Sequence, residues 1–423
     1  MPMERFLSET RLIPWRLHYA VAAAVVATMA LPATVAAADD AHGRPALIGR
    51  AVLPALTVAD GSPSGAAIAD ANGIDFPIDG QVVAGFSAIV AGRSPGEYLA
   101  MPDNGFGAKA NSSDFNIRAY YIRPDFKTAR GGSGTVDVLT TAGQFIEFRD
   151  PEGLIGFPIV NEGTTERLLT GGDIDPESLQ RGRNGDLWVG DEFGPWILHF
   201  DAAGRLLDPP FATPGGLMSP NNPFLDGRPP TQPNSRGYEA MSITPSGRYL
   251  YAALEGSTVA EPGSTRRIVF EFSIDDEQFT GRTWNYRTEN PAHFVADMWA
   301  VDRHRMVVIE RDGGRGLTAL FRNVYVVDLR RVDEAGFLEK TLAVDLAAIP
   351  DPDLISLPEL HPGDVGLGDP FRVTCESVEA IYPVNRTRLL IGCDNNLPNT
   401  GRNPSLADDS EFILVSVPPL VGS

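Results

Sequence analysis

The chain has 423 residues, and 55 Asp and Glu against 35 Lys and Arg give it a formal charge of −20. So acidic a surface repels phosphate backbones and anionic bilayers, which argues against nucleic acid and acidic membrane as partners and makes cations welcome. With 43 Gly and 35 Pro, long helices would be interrupted throughout, whereas short strands joined by tight turns use both residues.

The first segment reads as an export signal over residues 1–38. Arg5, Arg11 and Arg16 precede an apolar run over 19–31, and Ala36, Ala37 and Ala38 offer a small-residue cleavage point. An uncleaved anchor is the alternative, but the run is short for a bilayer span and is followed by Pro32. A periplasmic or secreted monomer is expected, with residues 39–423 forming one all-β domain, a β-propeller, and with no further membrane-crossing stretch.

Along that domain one plan recurs: two apolar strands joined by a tight turn. The pairs fall at 86–90 with 98–101, 177–179 with 186–189, 238–243 with 249–254, 294–301 with 306–309, and 378–382 with 389–391. Their turns carry Ser94-Pro95-Gly96, Arg183-Asn184-Gly185, Pro245-Ser246-Gly247, Asp302-Arg303-His304 and Asn385-Arg386-Thr387; Asn-Gly and Ser-Gly steps suit the positive φ of close hairpins. Third strands are expected at 120–122, 196–200, 268–274, 324–329 and 412–417. The runs 46–53, 135–148 and 338–346 remain as outer strands or as material for a sixth blade. Six blades are favoured within a range of five to seven, closed by pairing of the N- and C-terminal segments, which removes the exposed edges.

Acids recur at matching places on this plan. The first strands of four hairpins carry Glu177, Glu239, Asp297 and Glu379, and the second strands end at Asp191, Glu255, Glu310 and Asp394; the first hairpin offers Ser87 and Asp103. Pairs centred on their turns should face each other across one rung, where two carboxylates about 5 Å apart repel by about 3 kcal/mol at an effective dielectric near 20. A ring of such pairs calls for a hard divalent cation with six to eight oxygen ligands, calcium being more tolerant of irregular geometry than magnesium. Asn104, Asn395 and Asn396 could add neutral oxygens. The competing reading is that these acids bind backbone amides or pair with Arg236, Arg311 and Arg315. Those same arginines would suit an anionic substrate, since guanidinium binds phosphate and carboxylate in bidentate fashion. Two insertions on the acid side, 209–235 and the Gly-rich 312–316, read as a lid and a mobile loop or as plain surface loops.

Other chemistries lack their residues. No Gly-x-Ser-x-Gly elbow or phosphate-binding loop occurs, and His199, His293, His304 and His361 are scattered without zinc-like spacing. His42-Gly43-Arg44 stands alone. Cys375 and Cys393, the only cysteines, flank the last hairpin and would pair in an oxidising compartment or stay as buried thiols.

Taken in order, Asp175-Pro176-Glu177-Ser178, Gly190-Asp191-Glu192-Phe193-Gly194-Pro195, Arg236-Gly237-Tyr238-Glu239-Ala240, Glu310-Arg311, Glu376-Ser377-Val378-Glu379-Ala380 and Asp394-Asn395-Asn396 resemble the phytase-like family, described as having esterase-like activity of phytase. The similarity spans about residues 85–396. It implies a secreted propeller hydrolase of ester or phosphoester bonds acting on a small anionic substrate with Ca2+. On that reading Asp103, Glu177, Asp191, Glu239, Glu255, Asp297, Glu310, Glu379 and Asp394 hold metal. Glu192 then acts as general base, and Arg236 or Arg311 steadies the anionic transition state. A lactonase-like propeller and a calcium-stabilised, non-enzymatic binding propeller are the alternatives.

Overall fold

Alternating apolar residues closed by turn residues give five antiparallel hairpins, and each is the inner half of a twisted sheet. The computed structural model describes residues 43–83 and 85–420; the expected export signal at 1–38 lies outside the described residues. Among them there is no α-helix, only one 3-10 turn at Gly316–Thr318.

Blade I comprises Ala88–Ala91, Tyr98–Met101, Arg118–Asp125 and Thr135–Val138. Blade II runs through Pro176–Arg181, Leu187–Asp191, Trp196–Phe200 and the short Phe211–Ala212. Blade III is built from Ala240–Ile243, Tyr249–Ala253, Arg266–Ser273 and Gln278–Arg287, and blade IV from Phe294–Ala300, Arg305–Arg311, Arg322–Val332 and Leu338–Asp345. In blade V the strands Ser377–Asn385, Arg388–Asp394 and Ser410–Ser416 are completed on the outside by the N-terminal strand Ala46–Leu53. That last pairing, antiparallel from Ala46 opposite Ser416 to Leu53 opposite Ser410, is the expected closure. The innermost strands adjoin in the cyclic order I, II, III, IV, V and back to I.

All five expected third strands are found. The segments set aside for a sixth blade are instead outer strands: 46–53 in blade V, 135–138 in blade I and 338–345 in blade IV. The described strands form five blade-like groups, within the expected range of five to seven, and each of these segments completes a sheet edge.

Between blades the inward-alternating residues make the core. Leu99, Leu179, Leu187 and Val189 fill the seam of blades I and II, and Val307, Ile309, Val378 and Ile391 that of IV and V. Each such side chain, fully withdrawn from water, contributes about 1.5–3 kcal/mol. Around the axis, polar side chains tie neighbouring inner strands. The Ser178 hydroxyl donates to the Tyr238 carbonyl at 2.9 Å and the Gln180 amide to Met241 at 2.8 Å, joining blades II and III. The Ser242 hydroxyl accepts the Ala300 N–H at 2.5 Å, joining III and IV.

Candidate functional site

The hairpins turn at one end of the ring, so the strand ends that carry the acids meet at the other. There they enclose a cavity of about 390 Å³ lined by nine carboxyl side chains and two guanidiniums. The acids come from four blades. Asp103 follows the second strand of blade I; Asp175, Glu177 and Glu192 belong to blade II; Glu239 and Glu255 bracket the hairpin of blade III; Glu376, Glu379 and Asp394 come from blade V. Blade IV supplies Arg311 instead of an acid, and Arg236 enters from the end of the insertion before Glu239.

The acids do not face one another across rungs as expected, because the inner strands of blades II, IV and V bulge and the hairpin of blade III is offset by one residue. In blade II, Gly190 pairs with Ser178 but Asp191 with Pro176, so Glu177 is the extra residue. Blade V repeats this: Cys393 pairs with Val378 and Gly392 with Ala380, leaving Glu379 in the bulge. A bulged residue is unpaired and its side chain is re-aimed, which turns Glu177 and Glu379 toward the axis. In blade IV the bulge falls at Ala296, so Glu310 sits opposite Val295 and Asp297 opposite Ile309. Blade III has no bulge, and its continued register sets Glu239 and Glu255 one step apart.

Three expected ligands are not brought into the cavity. Asp191 is fully buried behind it, accepting the Asp175 N–H at 2.8 Å and the Gly194 N–H at 2.6 Å; burial pushes its carboxyl up to about 7. Asp297 accepts the Met298 N–H at 2.7 Å and, across the blade seam, the Ile381 N–H at 2.8 Å. Glu310 lies between the outer parts of blades III and IV, held by Lys340 Nζ at 2.7 Å, the Tyr286 hydroxyl at 2.9 Å, His293 Nδ1 at 2.9 Å and the Glu289 N–H at 2.6 Å.

Of the other expected ligands, Asp103, Glu177, Glu239, Glu255 and Glu379 meet, and Asp394 lines the same cavity. Donor oxygens of Asp103, Asp175 and Glu177 lie within 4.8 Å of one another, as do those of Glu177, Glu239 and Glu379, and those of Glu192, Glu239 and Glu255. Asp175 went unrecognised as a site residue; its place two residues before Glu177 was the available signal. Glu376, which opens the family-like stretch Glu376-Ser377-Val378-Glu379-Ala380 and was not among the expected ligands, also lines the mouth, where Arg315 reaches it at 3.1 Å.

Protein cations offset only part of this charge. Arg311 Nη2 meets Glu379 at 2.6 Å, Glu255 at 3.2 Å and Glu239 at 3.7 Å, which raises the guanidinium pKa against the opposing effect of burial. Arg236 Nη1 meets Glu255 at 2.7 Å while the guanidinium lies 4.3 Å over the Phe294 ring. Burial, reinforced by like-charged neighbours, pushes the carboxyls of Asp175, Glu177, Glu192, Glu239 and Asp394 well above the usual range. Asp103 rises to about 6 from burial first and the Glu379 charge second. An ionised pair 4.8 Å apart costs about 3 kcal/mol at an effective dielectric near 20.

The frame around the acids is rigid. Glu192 Oε1 accepts the Gly237 N–H at 2.8 Å, and a Cβ on Gly237 would sit 2.6 Å from the Glu192 Cα, so that glycine is required by close approach. The insertion 209–235 packs on the same turn, with Thr213 donating to Pro195 at 2.7 Å and Asn222 to Gly194 at 2.8 Å. Loop 312–316 brings Gly313 to the cavity and is braced by Asp312, whose carboxylate accepts the N–H groups of Gly314, Leu320 and Phe321. Cys375 and Cys393 form a disulfide beside Glu376 and Asp394.

A hard cation fits this donor set. The lining side chains offer carboxylate and amide oxygen with no imidazole or thiol among the described residues. The Asp175 Oδ1 is buried there without a hydrogen-bond partner among the described residues, which is costly for a buried polar oxygen.

Known proteins resemble the chain in two ways. An uncharacterized secreted protein of Arthroderma benhamiae is 23% identical over 138 residues, 27% of this chain and 26% of that protein, so the chain spans about a quarter of the curated relative it matches. Among solved structures, a GH43 β-1,3-galactosidase is 10% identical with a TM-score of 0.41, over 86% of this chain and 59% of that one. A luciferin-regenerating enzyme is 11% identical with a TM-score of 0.39, over 90% and 98%. The Dos1 propeller is 9% identical with a TM-score of 0.31, over 81% and 68%. The model of the phytase-like family, described as esterase-like activity of phytase, matches residues 81–397, and the chain belongs to that family.

Proposed function

We propose that the protein is an exported, monomeric, calcium-dependent hydrolase of ester or phosphoester bonds on small anionic substrates. The observation that carries this reading is the excess of nine carboxyl groups over two guanidiniums in one buried mouth, with an unpartnered Asp175 oxygen among them. Export to the periplasm or beyond accords with the Cys375–Cys393 disulfide and with the secreted relative. Asp103, Asp175, Glu177, Glu239, Glu379 and Asp394 would hold the metal. A bound divalent cation supplies Lewis acidity toward an ester oxygen and charge that lets these carboxylates stay ionised together.

The chain's own residues do the rest. Glu192 is fixed through one oxygen by the Gly237 N–H, leaving its second oxygen to accept a proton from an attacking water. Arg236, anchored to Glu255 through Nη1, is the guanidinium suited to meet the anionic group of a substrate. Arg311 is already committed to three carboxylates and acts as a positioning residue. The insertion 209–235 borders the mouth through Ser235 and shapes which esters enter.

Hydrolysis of aryl phosphates and carboxyl esters, measured with calcium and with excess chelator, tests the reading. Turnover that needs calcium supports it. Equal turnover in chelator would remove the metal from the mechanism, and calcium-raised melting temperature without turnover on any ester would favour a binding protein.

A further inference from the structure

At the opposite end of the hairpins the electrostatics reverse. The turns Pro245-Ser246-Gly247 of blade III and Asp302-Arg303-His304 of blade IV flank a groove of about 470 Å³. Four arginines line it: Arg248, Arg282, Arg303 and Arg330. From Glu239 to Thr244 the strand rises roughly 3.3 Å per residue, so groove and acid mouth are separate sites at the two ends of one sheet.

Three of these arginines have acidic partners within the chain. Arg248 pairs with Asp275 at 2.8 Å and Arg330 with Asp328 at 2.6 Å, and both arginine side chains are more than half exposed. Arg282 is also exposed, reaching Glu271 at 3.3 Å and lying 5.0 Å over the Trp284 ring. The Arg248–Asp275 pair, exposed on both sides, gives way to a competing anion at little cost. Arg303 makes no hydrogen bond or ion pair among the described residues. Its charge is left for something outside the chain, in a protein whose net field otherwise drives anions away.

The walls and floor narrow the chemistry. Tyr249 and Trp284 present aromatic surface, and Trp284 is fixed by its Nε1–H donating to the Leu329 carbonyl at 3.0 Å and by the edge of Tyr251, 5.4 Å away. Glu271 is buried at the floor, its carboxylate accepting the Thr280 hydroxyl at 2.9 Å. The Thr244 and Ser246 hydroxyls lie 3.0 Å apart on the rim. Aromatic faces suit the apolar side of a ring, hydroxyls and a carboxylate suit ring hydroxyls, and guanidinium suits an anionic substituent. We propose that this groove is a second binding site, for a hydroxylated ring bearing an anionic group, either a sugar acid or a sugar phosphate.

Isothermal titration of the whole protein in excess chelator, which keeps cation-bridged binding at the acid mouth out of the signal, tests this. Galacturonate, glucose 6-phosphate, glucose and inorganic phosphate are the probes. Saturable binding is expected for galacturonate or glucose 6-phosphate, at least tenfold tighter than for glucose or phosphate, and the tighter of the two anions identifies the source of the charge. Arg303→Ala should weaken that binding at least tenfold with an unchanged melting temperature, since the side chain supports nothing in the fold. Arg236→Ala, at the other end, should leave it intact. No saturable binding, wild-type affinity in Arg303→Ala, loss in Arg236→Ala, or glucose binding as tightly as the anions would each overturn the proposal.

Discussion

Blades III and IV begin from the same pattern, with an acid early in the hairpin and another at its end, yet they finish with opposite electrostatics. Glu239 and Glu255 of blade III reach the mouth and share two guanidiniums with other carboxylates. In blade IV, Asp297 has an N–H on each of its two oxygens, and Glu310 is surrounded by Lys340, Tyr286, His293 and the Glu289 N–H. In blade IV the bulged residue is Ala296 and not the acid beside it, so Asp297 is not re-aimed as Glu177 and Glu379 are, and the second strand presents Arg311 to the mouth with Glu310 on its other face. Burial alone therefore does not mark a carboxylate as a ligand. What distinguishes the mouth is that its acids are buried together with too few donors among them.

That contrast can be broken most forcefully in blade IV. Glu310→Ala leaves the buried Tyr286 hydroxyl and the Glu289 N–H without their acceptor, though Lys340 keeps Glu289, and urea unfolding should register a loss of about 3–5 kcal/mol, while any calcium-induced stabilisation stays as in the parent. If calcium instead lost its effect, Glu310 would belong with the mouth after all. Glu239→Gln should do the reverse, lowering kcat/KM for ester hydrolysis about 100-fold, equivalent to about 2.7 kcal/mol, with little loss of stability in chelator. Saturating the parent with calcium at about 100 times its Kd should add about 2.7 kcal/mol in urea unfolding, and Asp175→Asn should reduce that gain.

The smallest effect sharpens the sign of the mouth's charge. Burial raises the folded-state carboxyl pKa values there, Asp103 to about 6. Between about pH 4, where an unfolded carboxyl ionises, and about pH 6, the folded protein holds more protons than the unfolded chain. The cation-free protein should accordingly lose stability as pH rises through this window, by on the order of 2 kcal/mol for a single such group. Urea unfolding at pH 4.5 and 6.5 in chelator measures it. A flat response would mean that Arg236 and Arg311 already neutralise the cluster.

Much of this was legible because hairpins announce themselves. Tyr249 to Leu254 is an unbroken apolar run after Pro245-Ser246-Gly247, and such a run beside a turn marks each inner pair. The bulges at Glu177, Ala296 and Glu379 leave no comparable mark shared by all three, because register is decided by packing between blades. For that reason Asp191, Asp297 and Glu310 were grouped with residues they never meet, while Asp175 was passed over. The arginine groove was equally hidden, since Arg248, Arg282, Arg303 and Arg330 are far apart in sequence and only the docking of blade III on blade IV assembles them.

The outermost strand of blade V comes from the opposite end of the chain, and Arg50 meets Glu411 across 361 residues. A strand made this early must wait for nearly the whole polypeptide before it gains its antiparallel partner. Until then the last blade lacks its outer edge, and residues 46–53 present unpaired backbone to any neighbouring nascent chain. Folding that depends on so remote a contact is slow in its final step. Chains halted short of residue 410 would be left as open arcs, substrates for proteolysis rather than rings.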